Sequence, residues 1–320
     1  MEMKSATMSM RSSGLIEEKR NHRLQEGRSA PQRPGIGAWR VRMLWPLLTV
    51  ALGVSAADPG RFRVCADPVN PPLSTREGTG LENRIAELFA QELGLELTYT
   101  WFPQRMGFIR NTLKAKDEET GEYRCDVVMG VPAGYDMVAT TKPYYRSTYV
   151  LLIKRGEGFD QIEAPEDLER LDYPAKSRLK IAVFPPTPGV DWVARRGLME
   201  YAEPYQPMTG DPNENTAMRL ERIFTRDGVN MAVVWGPLAA YLVKKNPHRY
   251  RMIPLKSEPG LRLDFAMAMG VRHGDEELKA LLNRLIDEKR EEILAILQEY
   301  RVPLVDRNGE PIRRRGNSAR

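Results

Sequence analysis

The sequence predicts an α/β protein of two lobes, each a mostly parallel sheet flanked by helices, joined by two crossover strands. The first observation is the stretch Cys125 to Pro132, where three consecutive apolar residues precede a glycine and a proline. An unbroken apolar run is typical of a central parallel strand covered by helices on both faces. The second is an alternation of strand and helix patterns. The third is a pair of later apolar runs, Tyr149–Lys154 and Arg262–Gly270, which we interpret as the strands that leave the first lobe and return to it.

The first lobe begins with a strand predicted over Phe62–Ala66, followed by a loop over Asp67–Leu73 that three prolines make stiff. Apolar residues recur at helical spacing over Leu81–Leu93, and Gly94 stands where a helix C-cap belongs. Alternating, β-rich residues predict the next strand over Leu95–Trp101. The central strand comes next and is expected to end at its glycine, so the order predicts a mostly parallel sheet.

The second lobe is predicted from strands over Lys180–Phe184 and Val229–Trp235 and from a helix over Pro237–Lys245. The strand over Arg262–Gly270 then returns the chain to the first lobe. Asp275 is the expected N-cap of a long C-terminal helix.

Five segments follow from these patterns. We expect an N-terminal extension and signal peptide at 1–57, the first part of lobe one at 58–153, lobe two at 154–261, the return segment with the C-terminal helices at 262–305, and a basic tail at 306–320.

The signal-peptide prediction depends on one apolar stretch, Met43–Val54. Two arginines, Arg40 and Arg42, precede it, and small residues follow it. A basic region, a short apolar core and small residues are the parts of a secretory signal, and the core is too short for a transmembrane helix. The alternative is a buried helix at the start of a domain. We expect export and no membrane insertion of the mature chain.

The net charge of +5 gives a misleading picture of the folded part. Residues 1–57 contribute +5 and the tail after Val305 contributes +3, which leaves about −3 for residues 58–305. The basic pI therefore belongs to the two ends and is no argument for nucleic-acid binding.

Cys65 and Cys125 are the two cysteines of the chain, and both fall in predicted neighbouring strands. An even count in an exported chain favours a disulfide, whereas two buried free thiols are the alternative. Two cysteines and three histidines give no metal-binding pattern.

Four motifs carry a family resemblance: Cys65–Pro68, Gly80–Asn83, Cys125–Gly130 and Lys142–Tyr145. In order and spacing they resemble the periplasmic solute-binding proteins of family 3, which feed polar amino acids to ABC importers. The resemblance covers about residues 61–300 and implies the type II periplasmic-binding-protein fold and a periplasmic location.

Further motifs resemble one branch of that family, the solute-binding-like proteins associated with PQQ-dependent (quinoprotein) methanol dehydrogenases. These motifs are Val64–Pro68, Trp101–Leu113, Arg124–Pro132 and Val233–Pro237. This resemblance implies a methanol dehydrogenase as partner.

The sequence departs from the amino-acid binders at all three of their ligand anchors. Where the family has a carboxylate-binding arginine, this chain has Gly134. Where the family holds the ligand amine with a carboxylate, the late strand here runs into Trp235. The anion-binding loop is Phe184–Gly189, whose three prolines have no N–H to donate. Amino-acid capture is therefore not expected.

The candidate cleft or partner-contact residues are the polar, aromatic and basic side chains next to predicted strand ends. They are Asp67, Asn70, Glu82, Arg105, Arg110, Pro132, Tyr144, Tyr145, Phe184, Thr187 and Trp235. Each has a structural alternative. Asp67 could cap the proline loop, Glu82 and the two arginines could be helix starts, and Trp235 could be a core aromatic.

Three functions remain open on the sequence. The first is an accessory protein of a PQQ-dependent methanol dehydrogenase, which binds the enzyme or assists its maturation. The second is the substrate-binding component of an ABC importer for a small non-amino-acid solute. The third is an enzyme, which is disfavoured because the chain has no nucleophile–base motif or phosphate-binding glycine loop. No tightly bound cofactor is expected, although PQQ is a candidate ligand that would require cations such as Arg105 and Arg110.

Overall fold

The computed structural model describes residues 60–207 and 211–312. The expected signal peptide and N-terminal extension at 1–57 and the last eight residues of the basic tail lie outside the described residues.

The described chain alternates strands and helices. The strands are β1 Arg61–Ala66, β2 Val69–Asn70, β3 Ser74–Thr75, β4 Glu96–Trp101, β5 Val127–Pro132, β6 Ala139–Thr140, β7 Tyr145–Lys154, β8 Ile181–Val183, β9 Ala202–Pro204, β10 Met231–Trp235, β11 Tyr250–Pro254 and β12 Asp264–Val271. The helices are α1 Leu81–Leu93, α2 Phe108–Asn111, α3 Tyr173–Lys176, α4 Pro188–Arg195, α5 Thr216–Arg226, α6 Gly236–Lys245, α7 Glu276–Glu288 and α8 Arg290–Glu299, with short 3-10 helices at Pro165–Leu168 and Met199–Tyr201.

The first lobe is built on the strand order β4-β1-β5-β12. The strand β1 pairs in parallel with β4 and β5, and the return strand β12 runs antiparallel to β5. The apolar stripe of α1 predicted from the sequence is confirmed, since Leu81, Ile85 and Phe89 are buried in a core that also contains residues of α7 and α8. Gly94 caps α1 in the left-handed conformation with φ 64°.

The second lobe continues the sheet in the order β7-β10-β8-β9, with β11 on the other side of β7. The strands β8 and β10 are parallel, and β10 is antiparallel to β7. Two apolar clusters cover the two faces of this sheet; one packs around Trp192 and the other around Phe224 and Tyr250. The architecture is therefore the expected two-lobed α/β fold.

The long strand β7 belongs to both lobes. Residues 145–148 pair with β12 of the first lobe, and residues 149–153 pair with β10 of the second. The pairing partner changes between Thr148 and Tyr149, so the crossing lies within the strand. The segment boundaries at 153, 261 and 305 stay predictions.

The central strand runs further than its sequence suggests. The prediction that it ends at Gly130 is wrong, because β5 continues through Val131 to Pro132, which pair with Ala268 and Met267 of the return strand. An antiparallel partner supplied by a distant part of the chain holds these two residues in extended conformation. The proline is tolerated because it stands at the strand end, where its missing N–H interrupts no further ladder.

Cys65 and Cys125 form a disulfide with Cα atoms 5.4 Å apart. The bridge links the neighbouring strand β1 to the segment just before β5 and is buried with Phe108, Ile109 and Leu113. Among the described residues, no helix is both long enough and apolar enough to cross a membrane.

Candidate functional site

In the described part of the chain, two of the recesses between the lobes lie at the carboxyl ends of strands. One is polar and lies between the loop after β1 and the loop before α5. The other is aromatic and lies between the end of β5 and the end of β10, on the crossover strands β7 and β12. Ligands of open α/β sheets bind at this end of the strands, so both recesses are candidates.

Asp67 follows β1 and is 8% exposed. Its Oδ1 accepts the N–H of Val69 at 2.8 Å, and its Oδ2 accepts the N–H of Gln104 at 2.6 Å. Each carboxylate oxygen of Asp67 therefore accepts a hydrogen bond from a backbone N–H. Asp67 fixes the proline-rich loop against the loop after β4, which is the capping role that the sequence offered as an alternative.

Glu82 lies in the first turn of α1 against the central strand. A Cβ built on Gly130 would overlap its Oε1, so the carboxyl group lies directly over the Gly130 backbone. Burial, and then the negative charge of Asp67, raise the pKa of Glu82 to about 7. Within the described residues, no hydrogen bond or ion pair reaches the Glu82 carboxyl group.

Tyr144 and Tyr145 belong to the first-lobe core. Their ring centroids are 4.9 Å apart, and the Tyr144 hydroxyl donates to the Met129 carbonyl at 2.8 Å. Burial is the main cause that raises the pKa of both phenols. For Tyr144, the Tyr145 phenol and then Glu82 add to the rise, and for Tyr145, Glu82 adds to it. These two tyrosines therefore lie near Glu82 and line neither recess.

A polar clasp spans the two lobes at the first recess. The Asn215 side chain, at the N-terminus of α5, donates to the Asn70 carboxamide oxygen at 3.0 Å and to the Pro71 carbonyl at 2.9 Å. Asn70 in turn donates to the Gln104 side chain at 2.7 Å. The cavity beside the clasp measures about 80 Å³ and is lined by Asp67, Asn70 and Arg105 from the first lobe and by Glu214 and Asn215 from the second. This space admits little more than water or a small ion.

The aromatic recess measures about 240 Å³ and is lined by Pro132, Tyr149, Trp235, Phe265 and Met267. The rings of Tyr149, Trp235 and Phe265 contact one another, with centroids 5.7 to 6.5 Å apart. Trp235 is half-buried, so it is a wall of the cleft as well as a packed aromatic. This recess suits an apolar or flat group.

Thr187 precedes α4 near this recess. Its hydroxyl is buried and has no hydrogen-bond partner among the described residues. The Thr187 hydroxyl lies near the Tyr149 phenol, whose pKa is raised by burial. Thr187 belongs to the loop Phe184–Gly189, whose prolines have no backbone N–H to donate to an anion. Pro188 of this loop is the first residue of α4.

The charged anchors of amino-acid binders have no counterpart in the lining of the aromatic recess. Gly134 lies in a turn with φ 80°. The guanidinium of Arg262 lies 4.8 Å from the Phe265 ring centroid, and its Nε donates to the Asp264 carbonyl at 3.0 Å. Neither the recess nor any other described part of the chain contains a group of three or more His, Cys, Asp or Glu residues suited to a metal ion.

Two further candidates, Phe184 and Arg110, also lie away from both recesses. Phe184 is 2% exposed and packs in the second-lobe core, where its ring centroid lies 6.2 Å from that of Tyr205. The prediction that Phe184 lines the cleft is therefore wrong. Phe184 follows β8 directly, and its side chain points to the face that α5 covers. Arg110 is exposed on α2 and folds back over Gly107.

Sequence reasoning missed four residues that shape the two recesses. Tyr149 and Phe265 lie inside strands that the sequence assigned to the crossover, and Gln104 and Asn215 lie in loops. The aromatic residues could have been found from alternation, because a crossover strand turns every second side chain towards the cleft. Asn215 could have been noticed as the N-cap residue that precedes the helix α5.

Solved structures define the class of protein. The crystal structure of the periplasmic binding protein XoxJ from Methylobacterium extorquens AM1 superposes with a TM-score of 0.60 at 31% identity and covers 77% of this chain and 99% of that one. MxaJ of Methlophaga aminisulfidivorans MPT superposes with a TM-score of 0.58 at 22% identity, over 76% of this chain and all of that one, which shows the fold alone. The chain thus has the periplasmic-binding-protein fold and is a solute-binding protein of the family 3 type.

Sequence comparison identifies the branch. The protein MoxJ of Methylorubrum extorquens AM1 is 32% identical over 266 residues, which covers 78% of this chain and 83% of the relative. No protein-family model matches the chain. The chain belongs to the MoxJ family, and the resemblance to the methanol-dehydrogenase-associated branch is confirmed.

Proposed function

We propose that this chain is a periplasmic accessory protein of a PQQ-dependent methanol dehydrogenase, and that it binds the enzyme or assists its maturation instead of capturing amino acids. The main support is the aromatic recess, whose lining contains no charged side chain. The lobes are also linked directly by Asn215, so closure does not depend on a solute to bridge them.

An amino acid would bind this cleft poorly. Its carboxylate and ammonium groups would enter a recess lined by Pro132, Met267 and aromatic rings. Each charge buried without a partner costs several kcal/mol, which removes useful affinity.

The alternative is the substrate-binding component of an importer for a small apolar solute. The observation that favours it is the Thr187 hydroxyl, a buried polar group without a partner near Tyr149. A solute with one polar atom and an apolar body would fit the recess.

PQQ itself is a poor match for the same recess. The quinone carries three carboxylates, and the recess lining supplies no cation. We therefore expect no tight quinone binding there.

A catalytic role has little support. Both Asp67 oxygens accept backbone N–H groups, and Glu82, whose pKa Asp67 raises, lines neither recess and so faces no substrate site there. Relatives of this chain are binding proteins.

Binding to purified methanol dehydrogenase tests the proposal. The mature chain is measured against apo and quinone-loaded enzyme by interferometry and size-exclusion chromatography. A thermal-shift screen with amino acids, PQQ and small apolar solutes runs in parallel. We expect micromolar or tighter binding to the enzyme, as for specific transient complexes, and no shift with any amino acid.

A control variant, Trp235→Ala, shows whether the aromatic recess takes part. A clear thermal shift with a small solute that is lost in this variant, without any binding to the dehydrogenase, would favour the importer alternative and rule out the accessory role.

A further inference from the structure

Residues 102–116, here called the basic loop, differ in charge from the rest of the body. They carry four basic and no acidic side chains, whereas residues 58–305 as a whole carry about −3. Arg105, Arg110, Lys114 and Lys116 are all exposed. Lys116 is the last residue of the basic loop and lies 5.0 Å from the Tyr123 ring centroid. The acidic residues that follow it belong to the next turn, which Asp117 closes. The basic loop is therefore a local positive surface on a slightly acidic body.

Met106 lies within this positive surface. Its side chain is 92% exposed, more than any other large apolar side chain among the described residues. A single exposed apolar residue is ordinary on a protein surface. Met106 is different, because the Arg110 guanidinium folds back over the adjacent Gly107. A flexible, polarisable methionine side chain adapts to many partner surfaces, and a cation beside it orients the partner.

A backbone hydrogen bond and two buried side chains hold the basic loop in place. The N–H of Phe108 donates to the Arg105 carbonyl at 2.9 Å, and Gly107 between them adopts φ 88°, which a residue with a side chain rarely does. Phe108 and Ile109 are buried beside the Cys65–Cys125 disulfide. The backbone at Met106 is therefore in place before a partner binds, which limits the backbone entropy lost on binding.

The basic loop also lies at the mouth of the cleft. Gln104 is bound to Asp67 through its N–H and to Asn70 through its side chain, and Asn70 is the residue that Asn215 of the second lobe reaches. A partner on the basic loop would thus contact the protein where the two lobes meet.

We propose that the basic loop is the docking surface for the dehydrogenase, with Met106 as its apolar anchor and Arg110 and Lys114 as the cations that meet an acidic surface patch of the enzyme. This inference rests on the proposed accessory function and identifies the surface through which the chain would bind the enzyme. Charge complementarity selects an acidic protein surface as occupant, because the basic loop has no acidic residue of its own.

The test measures dehydrogenase binding by interferometry at low and high salt. We expect Met106→Ala to weaken binding about tenfold, mainly through faster dissociation, as for truncation of an interface anchor. We expect the double variant Arg110→Glu, Lys114→Glu to slow association about tenfold at low salt and to remove most of its salt dependence. Met106 makes no buried contact, so its truncation leaves the melting temperature unchanged.

Two matched controls lie outside the basic loop. Met199→Ala removes a methionine that is 46% exposed in the second lobe. The double variant Arg284→Glu, Arg290→Glu reverses two exposed cations of α7 and α8. Both controls should bind within about twofold of the wild type, as expected for residues outside an interface.

The outcomes separate the two proposals. If the wild type binds and the basic-loop variants bind as well as the controls do, the docking surface is wrong and the accessory function stands. If the wild type does not bind the dehydrogenase at all, the accessory function fails and the docking surface fails with it.

Discussion

At the scale of single residues, Glu82 is the clearest case of chemistry set by environment. Its sequence context marks a helix start and nothing more. In the fold, the carboxyl group lies against Gly130 of the central strand, where burial, and then the charge of Asp67, favour its protonated form. Ionisation of Glu82 in the folded state is therefore unfavourable.

The substitution Glu82→Gln tests this. The folded pKa of about 7 lies above the ordinary value of 4.5, so the unfolded chain releases its proton first as pH rises. The wild type therefore loses stability between about pH 4.5 and pH 7, and Glu82→Gln does not, which gives the variant an advantage of about 3 kcal/mol near pH 8 and none near pH 4.

Urea unfolding at a series of pH values measures the difference between the two proteins. The exposed Glu118→Gln variant is the control and should follow the wild type at every pH. A difference between wild type and Glu82→Gln that does not grow with pH would show that Glu82 ionises normally in the fold.

At the scale of elements, two interactions join the strands β1, β5 and β12 at one end of the first-lobe sheet. The disulfide connects Cys65 to Cys125, and the Arg272 guanidinium donates to the Cys125 carbonyl at 2.6 Å and to Asp126 at 2.7 Å. The basic loop packs over this end. Its position therefore depends on the disulfide.

The double variant Cys65→Ala, Cys125→Ala should lower stability substantially. The bridge closes a loop with a sequence separation of 60 residues, for which chain entropy predicts a loss of about 4 kcal/mol. Calorimetry should show a melting temperature lower by about 10 °C. A melting temperature within about 2 °C of the wild type, under conditions where the wild-type disulfide is intact, would contradict a stabilising role.

At the scale of the whole molecule, direct contacts hold the two lobes together. Asn215 reaches Asn70 and Pro71 across the cleft. A second contact is made by Lys244 of the second lobe, which pairs with Glu299 at 3.1 Å and lies 3.7 Å from the Tyr300 ring centroid of the first lobe. These contacts require no ligand. We expect the free protein to populate the closed arrangement.

The double variant Asn215→Asp, Lys244→Ala should open the cleft. Aspartate retains the helix cap that Asn215 provides to α5 but cannot donate to Asn70, and alanine removes the exposed ion pair. The combined loss is about 2 kcal/mol or more, which shifts the closed-to-open ratio at least about thirtyfold. Small-angle scattering should show a larger radius of gyration.

Lys245→Ala is the matched control, because Lys245 lies on the same helix but pairs with Glu221 inside the second lobe. It should scatter as the wild type does. An unchanged radius of gyration in the double variant would mean that the polar clasp does not determine closure.

The sequence by itself determined the features that depend on neighbouring residues. The stripe of α1, its Gly94 cap, the Asp275 cap of α7 and the loss of the amino-acid anchors can all be identified within windows of a few residues, because helical periodicity and capping are local. The family resemblance followed from short motifs in a fixed order.

Only the tertiary structure decided the features that join distant segments. Pairing with β12 carried β5 through Gly130 to Pro132, and the change of partner within β7 brought Tyr149 and Phe265 together as walls of the recess. The Asn215 clasp spans 145 residues of sequence. The physical reason is the same in each case: strand pairing, burial and charge proximity depend on which parts of the chain meet in space, and no local pattern records that.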